Sequence, residues 1–187
     1  GIRYELLAPS NEAELENRIR EHHKHIFGED SVYFDKKKIR SKAGVATIPD
    51  AYLIVFGYKP KWCILEVELA DHSVYEHVVP QLSKFRSALE DASTRRAIQE
   101  FFYEAIKSDP ILEAEIKQKT GSGEIHKFIS DLVADKPLIV VAINDRTPQL
   151  DEGLQALGGN IHVLEFKTYR REGVTEDVNA YTYEPVF

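Results

Sequence analysis

Residues 62–69 read Trp-Cys-Ile-Leu-Glu-Val-Glu-Leu, an apolar run broken near its end by two glutamates in alternate positions. A run of this composition predicts a strand covered on both faces, which belongs at the centre of a sheet. Only its last residues alternate, with Leu65, Val67 and Leu69 on one side and Glu66 and Glu68 on the other. A carboxylate inside a covered strand loses hydration and needs compensation. The chain must therefore build a sheet with layers on both faces and tolerate two acids on its central strand.

The flanking sequence supplies the other elements. Residues 11–25 predict a helix, with Ser10 or Asn11 as N-cap and Glu12 and Glu14 in the first turn. Residues 31–39 and 44–56 predict two strands, and Gly57, Tyr58, Lys59 and Pro60 a turn into the 62–69 strand. Residues 73–90 predict a helix bent or restarted near Pro80, followed by helices over 92–108, 110–118 and 122–134. A buried strand over 138–144, a helix over 148–157 closed by Gly158-Gly159, a strand over 161–169 and a last edge strand over 180–187 complete the pattern. The order is α, a β-meander, helices, then a β–α–β unit. This predicts a single α/β domain over 1–187 with a mixed central sheet flanked by helices. The helical block at about 92–134 is longer than the core connection requires and reads as an insertion.

Composition narrows the functional classes. At 187 residues and 43% hydrophobic, the chain can bury a substantial core. No apolar run approaches the roughly 18 residues of a membrane span, so no membrane is expected as a partner. Cys63 is the single cysteine, which excludes an internal disulfide and suggests a reducing, cytoplasmic setting; it reads as a small core residue. The net charge of −7 argues mildly against a non-specific nucleic-acid binder. Basic residues are nevertheless clustered, at Lys36, Lys37, Lys38, Arg40 and Lys42, at Arg95 and Arg96, and at Lys167, Arg170 and Arg171. Each cluster alone reads more readily as a solvated face.

The acids of the hairpin carry the chemistry. If the turn centres on Tyr58, Phe56 faces Pro60 and Asp50 falls opposite Glu66. Asp50, Glu66 and Glu68 then share one sheet face. Like charges across a strand pair repel, and partly buried carboxylates lose solvation, so a bound cation is the simplest explanation. Hard oxygen donors of this kind suit Mg²⁺ or Mn²⁺.

Pro49-Asp50, then Glu66-Val67-Glu68, resembles the PD-(D/E)xK nuclease superfamily. Ala13-Glu14-Leu15-Glu16 is similar to the opening helix of its RecB-type and NucS-like branch. Gln81-Leu82-Ser83-Lys84-Phe85 looks like that branch's Gln-x-x-x-Tyr motif, with Phe for Tyr. The resemblance implies a restriction-endonuclease-like fold and metal-dependent hydrolysis of DNA phosphodiesters, RNA not being excluded. It implies that Asp50 and Glu66 bind metal by carboxylate and Val67 by its backbone carbonyl. Glu16, or alternatively Glu12, would complete the shell, and Gln81 would contact the site or the DNA backbone. Lys36, Lys38, Arg40, Lys42, Lys167 and Arg170 would line the nucleic acid, and a homodimer would suit cleavage of both strands. The departure is Glu68, where the family usually has lysine. Glu68 as general base or second-metal ligand, a lysine migrated to Lys84, and loss of catalysis are all open. The last would leave a nuclease-fold module that binds nucleic acid or protein without turnover.

Other motifs compete less well. Glu165-Phe166-Lys167 with Asp145 is a literal ExK, but a crossover helix separates its strands. His22, His23 and His25 read as the C-terminal end of a helix, where cationic or neutral imidazole suits the dipole. One of His72 and His77 could approach a substrate phosphate, though surface placement is expected. Tyr75, Phe101, Phe102 and Tyr103 are expected in the core. No nucleophile elbow, phosphate-binding loop or dinucleotide fingerprint is present.

Overall fold

A computed structural model describes residues 1–35, 49–174 and 178–187. The strands are β1 (Tyr4–Leu7), β2 (Ser31–Asp35), β3 (Ala51–Val55), β4 (Lys61–Glu68), β5 (Leu138–Ile143), β6 (Ile161–Glu165), β7 (Lys167–Arg171) and β8 (Asn179–Thr182). The helices are α1 (Glu12–Glu21), α2 (His23–Phe27), α3 (Val79–Glu90), α4 (Ala92–Ser108), α5 (Pro110–Thr120), α6 (Ile125–Ala134) and α7 (Pro148–Leu157). A π-helical turn, Val74–Val78, leads into α3.

The described strands form two sheets. The larger has the order β2-β3-β4-β5-β6, and the smaller β1-β7-β8. In the larger sheet β2, β3 and β4 are an antiparallel meander, and β5 and β6 run parallel to β4. This is a mixed α/β architecture with a five-stranded sheet flanked by helices. As its apolar run requires, β4 is central, and every residue from Trp62 to Glu68 is buried.

Alternation on β4 divides the core into layers. Cys63, Leu65 and Val67 face Leu15 and Ile19 of α1, Ile26 and Phe27 of α2, and Phe166. On the opposite face Trp62 and Ile64 join Tyr52 and Ile54 against Ile98, Phe102 and Ile106 of α4 and Ile129 and Val133 of α6. Further along that face, Ile139, Val141 and Ile143 of β5 pack on Val74, Val78, Leu82 and Phe85 and on Leu150 of α7. The helices within 92–134 thus share a core with β3 and β4.

Differences from the expected elements have local causes. The 11–25 helix is broken at His22, whose φ of −104° and ψ of 9° leave the helical region. Pro80 sits in the first turn of α3, where its missing amide costs no hydrogen bond, and the irregularity is displaced upstream into the π-helical turn. The strand expected over 161–169 is two strands: Phe166 is buried, and the chain leaves the large sheet there to begin β7. The edge strand expected over 180–187 is β8, at the edge of the small sheet, which the sequence reading missed along with β1. Phe101 and Phe102 are in the core, whereas Tyr75 and Tyr103 are exposed. Among the described residues no helix is long and apolar enough to cross a membrane.

Candidate metal centre

The β3–β4 register pairs Ala51 with Leu65, and its continuation sets Asp50 across from Glu66. The Asp50 amide donates to the Leu65 carbonyl at 3.1 Å. In return the Asp50 Oδ2 accepts from the Val67 amide at 2.8 Å. The N–H and C=O of one strand residue leave from the same edge. The Val67 carbonyl therefore points toward the Asp50 side of β4, just where β3 has ended.

Glu66 and Glu68 project from the face of β4 that carries Ile64, at the C-terminal end of the strand. Glu66 is 1% exposed and Glu68 2%. Gln81, on the first turns of α3, donates from Nε2 to Glu66 Oε2 at 2.7 Å. Tyr52 lies in the same layer. Its burial, reinforced by the Glu66 carboxylate, pushes its phenol above the ordinary range, so it stays neutral beside the acid. Leu82 and Phe85, buried on α3, hold the helix against β5 and thereby fix Gln81.

Glu68 has a different environment. Its Oε2 lies 2.9 Å from His72 Nδ1, and its Oε1 lies 3.6 Å from His77 Nε2. The same His72 Nδ1 is 3.0 Å from Glu12 Oε1, so α1 reaches the cluster. The His72 and His77 ring centroids are 5.4 Å apart. Burial pushes the Glu68 carboxyl up, opposed by the His72 hydrogen bond. That hydrogen bond raises the His72 imidazole. Glu12, Glu68, His72 and His77 each offer one ligand atom, all within 4.8 Å of one another, which is close enough for a single cation.

Local sequence explains these placements. Asn11 caps α1 by accepting from the Glu14 amide at 2.9 Å, and Glu14 accepts from the Ser10 amide at 2.7 Å. This fixes Glu12 in the first turn, facing His72. After β4 the Ala70 amide donates to Asn144 Oδ1 at 2.9 Å, tying the exit of β4 to the end of β5. Ser73 caps the π-helical turn through the Glu76 amide, and the turn sets His77 over Glu68.

Other expected site residues have partners of their own or lie outside the described residues. Glu16 is buried, 3.4 Å from Arg20, which also pairs with Asp35 at 3.0 Å. Its charge bears on Tyr33. Glu12, one turn earlier on the same helix, lies 3.0 Å from His72 Nδ1. Lys84 is exposed, one helical turn beyond Gln81. Lys36, Lys37, Lys38, Arg40 and Lys42 lie outside the described residues. Lys167 is paired with Asp145 at 3.0 Å and Glu165 at 3.1 Å, and Arg170 with Glu5 at 3.3 Å. Asp145 thus meets the Glu165-Phe166-Lys167 motif through Lys167, as a partly exposed ion-pair cluster. The signal that would have found the histidines was their spacing: Glu68, His72 and His77 follow one another within a single strand-to-helix connection.

The cavity lined by Trp62, Arg86, Leu89, Lys136 and Asn160 opens at the opposite ends of β4 and β5, where no comparable acid cluster is found among the described residues. Open α/β sheets bind ligands outside the carboxyl ends of their strands, the end that carries Glu66 and Glu68. Comparison with family models, with characterised proteins and with solved structures returns no match.

Proposed function

We propose that the chain is a metal-dependent nuclease of the PD-(D/E)xK type, hydrolysing DNA phosphodiesters at the Asp50–Glu66 end of the central hairpin. The observation that carries this reading is the buried Glu66 carboxylate opposite Asp50, with Asp50 oriented by the Val67 amide and Glu66 by Gln81. The donor set is hard oxygen throughout, which fits Mg²⁺ or Mn²⁺. Asp50, Glu66 and the Val67 carbonyl would hold the ion. The chemistry supplied there would be polarisation of the phosphate and a lowered pKa for the attacking water. The protein's part is orientation: a backbone donor, the Val67 amide, holds Asp50, and Gln81 aims Glu66. The strand order, a meander followed by parallel strands, supports a restriction-endonuclease-like fold.

A nucleic-acid partner is supported by chain connectivity. β2 ends at Asp35, opposite Ala51 and at the strand end that carries the acids, and the basic residues Lys36 to Lys42 follow it in sequence. Lys167 and Arg170, each already neutralised by carboxylates, support it less.

A second reading is favoured by Glu68. The position where the family usually has lysine holds a buried acid engaged by two histidines. A nuclease-fold module that binds without turnover would need no cation there. The test is cleavage of plasmid and branched DNA by the full chain in Mg²⁺ and in Mn²⁺. Turnover that falls at least about a hundredfold in a folded Asp50→Ala variant supports the nuclease. Binding to DNA without turnover in either metal favours the second reading, and absence of both metal affinity and cleavage sinks the first.

A further inference from the structure

We infer that Glu12, Glu68, His72 and His77 form a second cation site, one that selects a transition metal of the Zn²⁺ class over Mg²⁺. It stands on its own residues and does not depend on the Asp50–Glu66 reading.

The donor set decides the class of metal. Two imidazoles and two carboxylates suit zinc, whereas magnesium prefers oxygen donors and retained water. Charge also balances, because two carboxylates neutralise one dication. The geometry is close to what a tetrahedral ion needs. Bonds of about 2.0–2.1 Å place tetrahedral ligand atoms roughly 3.3 Å apart. Here His72 Nδ1 lies 3.0 Å from Glu12 and 2.9 Å from Glu68, and His77 Nε2 lies 3.6 Å from Glu68.

Hydrogen bonding alone serves this arrangement poorly. A single ring nitrogen, His72 Nδ1, faces two carboxylate oxygens, and it carries at most one hydrogen. One of those oxygens belongs to Glu68, whose side chain is only 3% exposed and gains most from a compensating cation. Glu12, His72 and His77 are partly exposed, which leaves a path for the ion to enter. The site joins the first turn of α1 to the end of β4 and to the π-helical turn. Metal binding there would fasten three elements that are distant in sequence.

The experiment is titration of EDTA-treated, dialysed full-length chain with Zn²⁺, followed by calorimetry, by thermal denaturation, and by the visible absorption of Co²⁺ as a spectroscopic substitute. One equivalent of tight Zn²⁺ is expected, with a melting temperature several degrees higher at about a hundredfold excess over Kd. The double variant His72→Ala/His77→Ala should bind at least about a hundredfold more weakly. Asp50→Asn should bind Zn²⁺ as the unaltered chain does, even where it abolishes DNA cleavage, so this proposal and the nuclease reading fail separately. Should the double variant not fold, Glu12→Gln, at a partly exposed first-turn position, replaces it. A tenfold or greater loss supports the site. Absence of Zn²⁺ uptake by the unaltered chain, or unchanged affinity in these variants, overturns it.

Discussion

Gln81 Nε2 and Glu66 Oε2 are 2.7 Å apart, and this contact joins the first turns of α3 to the centre of the large sheet. Glu66 is 1% exposed, and a buried polar group that loses its hydrogen-bond partner costs its full desolvation penalty. Gln81→Ala is expected to lower stability by about 1–3 kcal/mol, measured by urea denaturation in EDTA. Gln81→Glu sets a second acid against the first and should destabilise the metal-free protein, with part of the loss recovered in Mg²⁺. Equal destabilisation with and without Mg²⁺ would count against cation binding at Glu66.

Gly153 lies on α7 where it meets the π-helical turn. A Cβ there would stand 2.9 Å from Val74 Cγ1 and 3.0 Å from Val79 Cγ2. Ala in place of Gly ordinarily favours a helix by about 1 kcal/mol. Here two stiff, branched side chains would have to move, and overpacking costs about 1–3 kcal/mol. Gly153→Ala should therefore lower the melting temperature. Because Val74 and His77 share a turn, the variant should also weaken Zn²⁺ binding; a stabilised variant would show that α3 and α7 separate easily.

Burial pushes the Cys63 thiol up to about 12. An unfolded thiol titrates near 8.5. Cys63 should resist a thiol reagent at about pH 8 in the folded protein and react stoichiometrically in denaturant. Fast labelling of the folded chain would mean that β4 is exposed by local opening.

The Glu68–His72 pair gives stability a sign with pH. Burial raises Glu68, and the Glu68 hydrogen bond raises His72. Both folded-state values exceed the unfolded ones, so the folded protein binds more protons and loses stability as pH rises. The His72 contribution is complete below its ordinary 6.5 and disappears as pH climbs through the raised value. In EDTA, the free energy of unfolding should decline more steeply from about pH 6 to about pH 8 in the unaltered chain than in His72→Gln. Parallel profiles would show that the pair is not formed.

The hairpin was legible because its determinants are local. A short turn fixes register, and alternation fixes which side chains share a face, so Asp50 opposite Glu66 follows from counting outward from Tyr58. The centrality of β4 was legible from its unbroken apolar run. The small sheet was not, because β1 is short and exposed and finds β7 only across most of the chain. Phe166 looked like the interior of one strand, yet it marks the change of sheet, a decision made by what lies on either side of it in space. The role of His72 and His77 is hidden in the sequence for a similar reason. His72 and His77 are indeed partly exposed, but what makes them a site is the buried acid beneath them and a first-turn acid brought from α1.

The place of β4 between β3 and β5 also orders the events by which the molecule assembles. β3 is reached across a short turn, a step of microseconds for a hairpin. β5 arrives only after the intervening helical segments have been threaded, and closing so long a loop is entropically costly and slow. Glu66 and Glu68 lie on a face of β4 and meet Gln81, His72 and His77, which belong to the segments between β4 and β5. The desolvation of these acids therefore goes with the packing of those segments and not with the pairing of β5 at the strand's edge. A divalent cation held by the acids would favour that packing, whereas the bare carboxylates would oppose it.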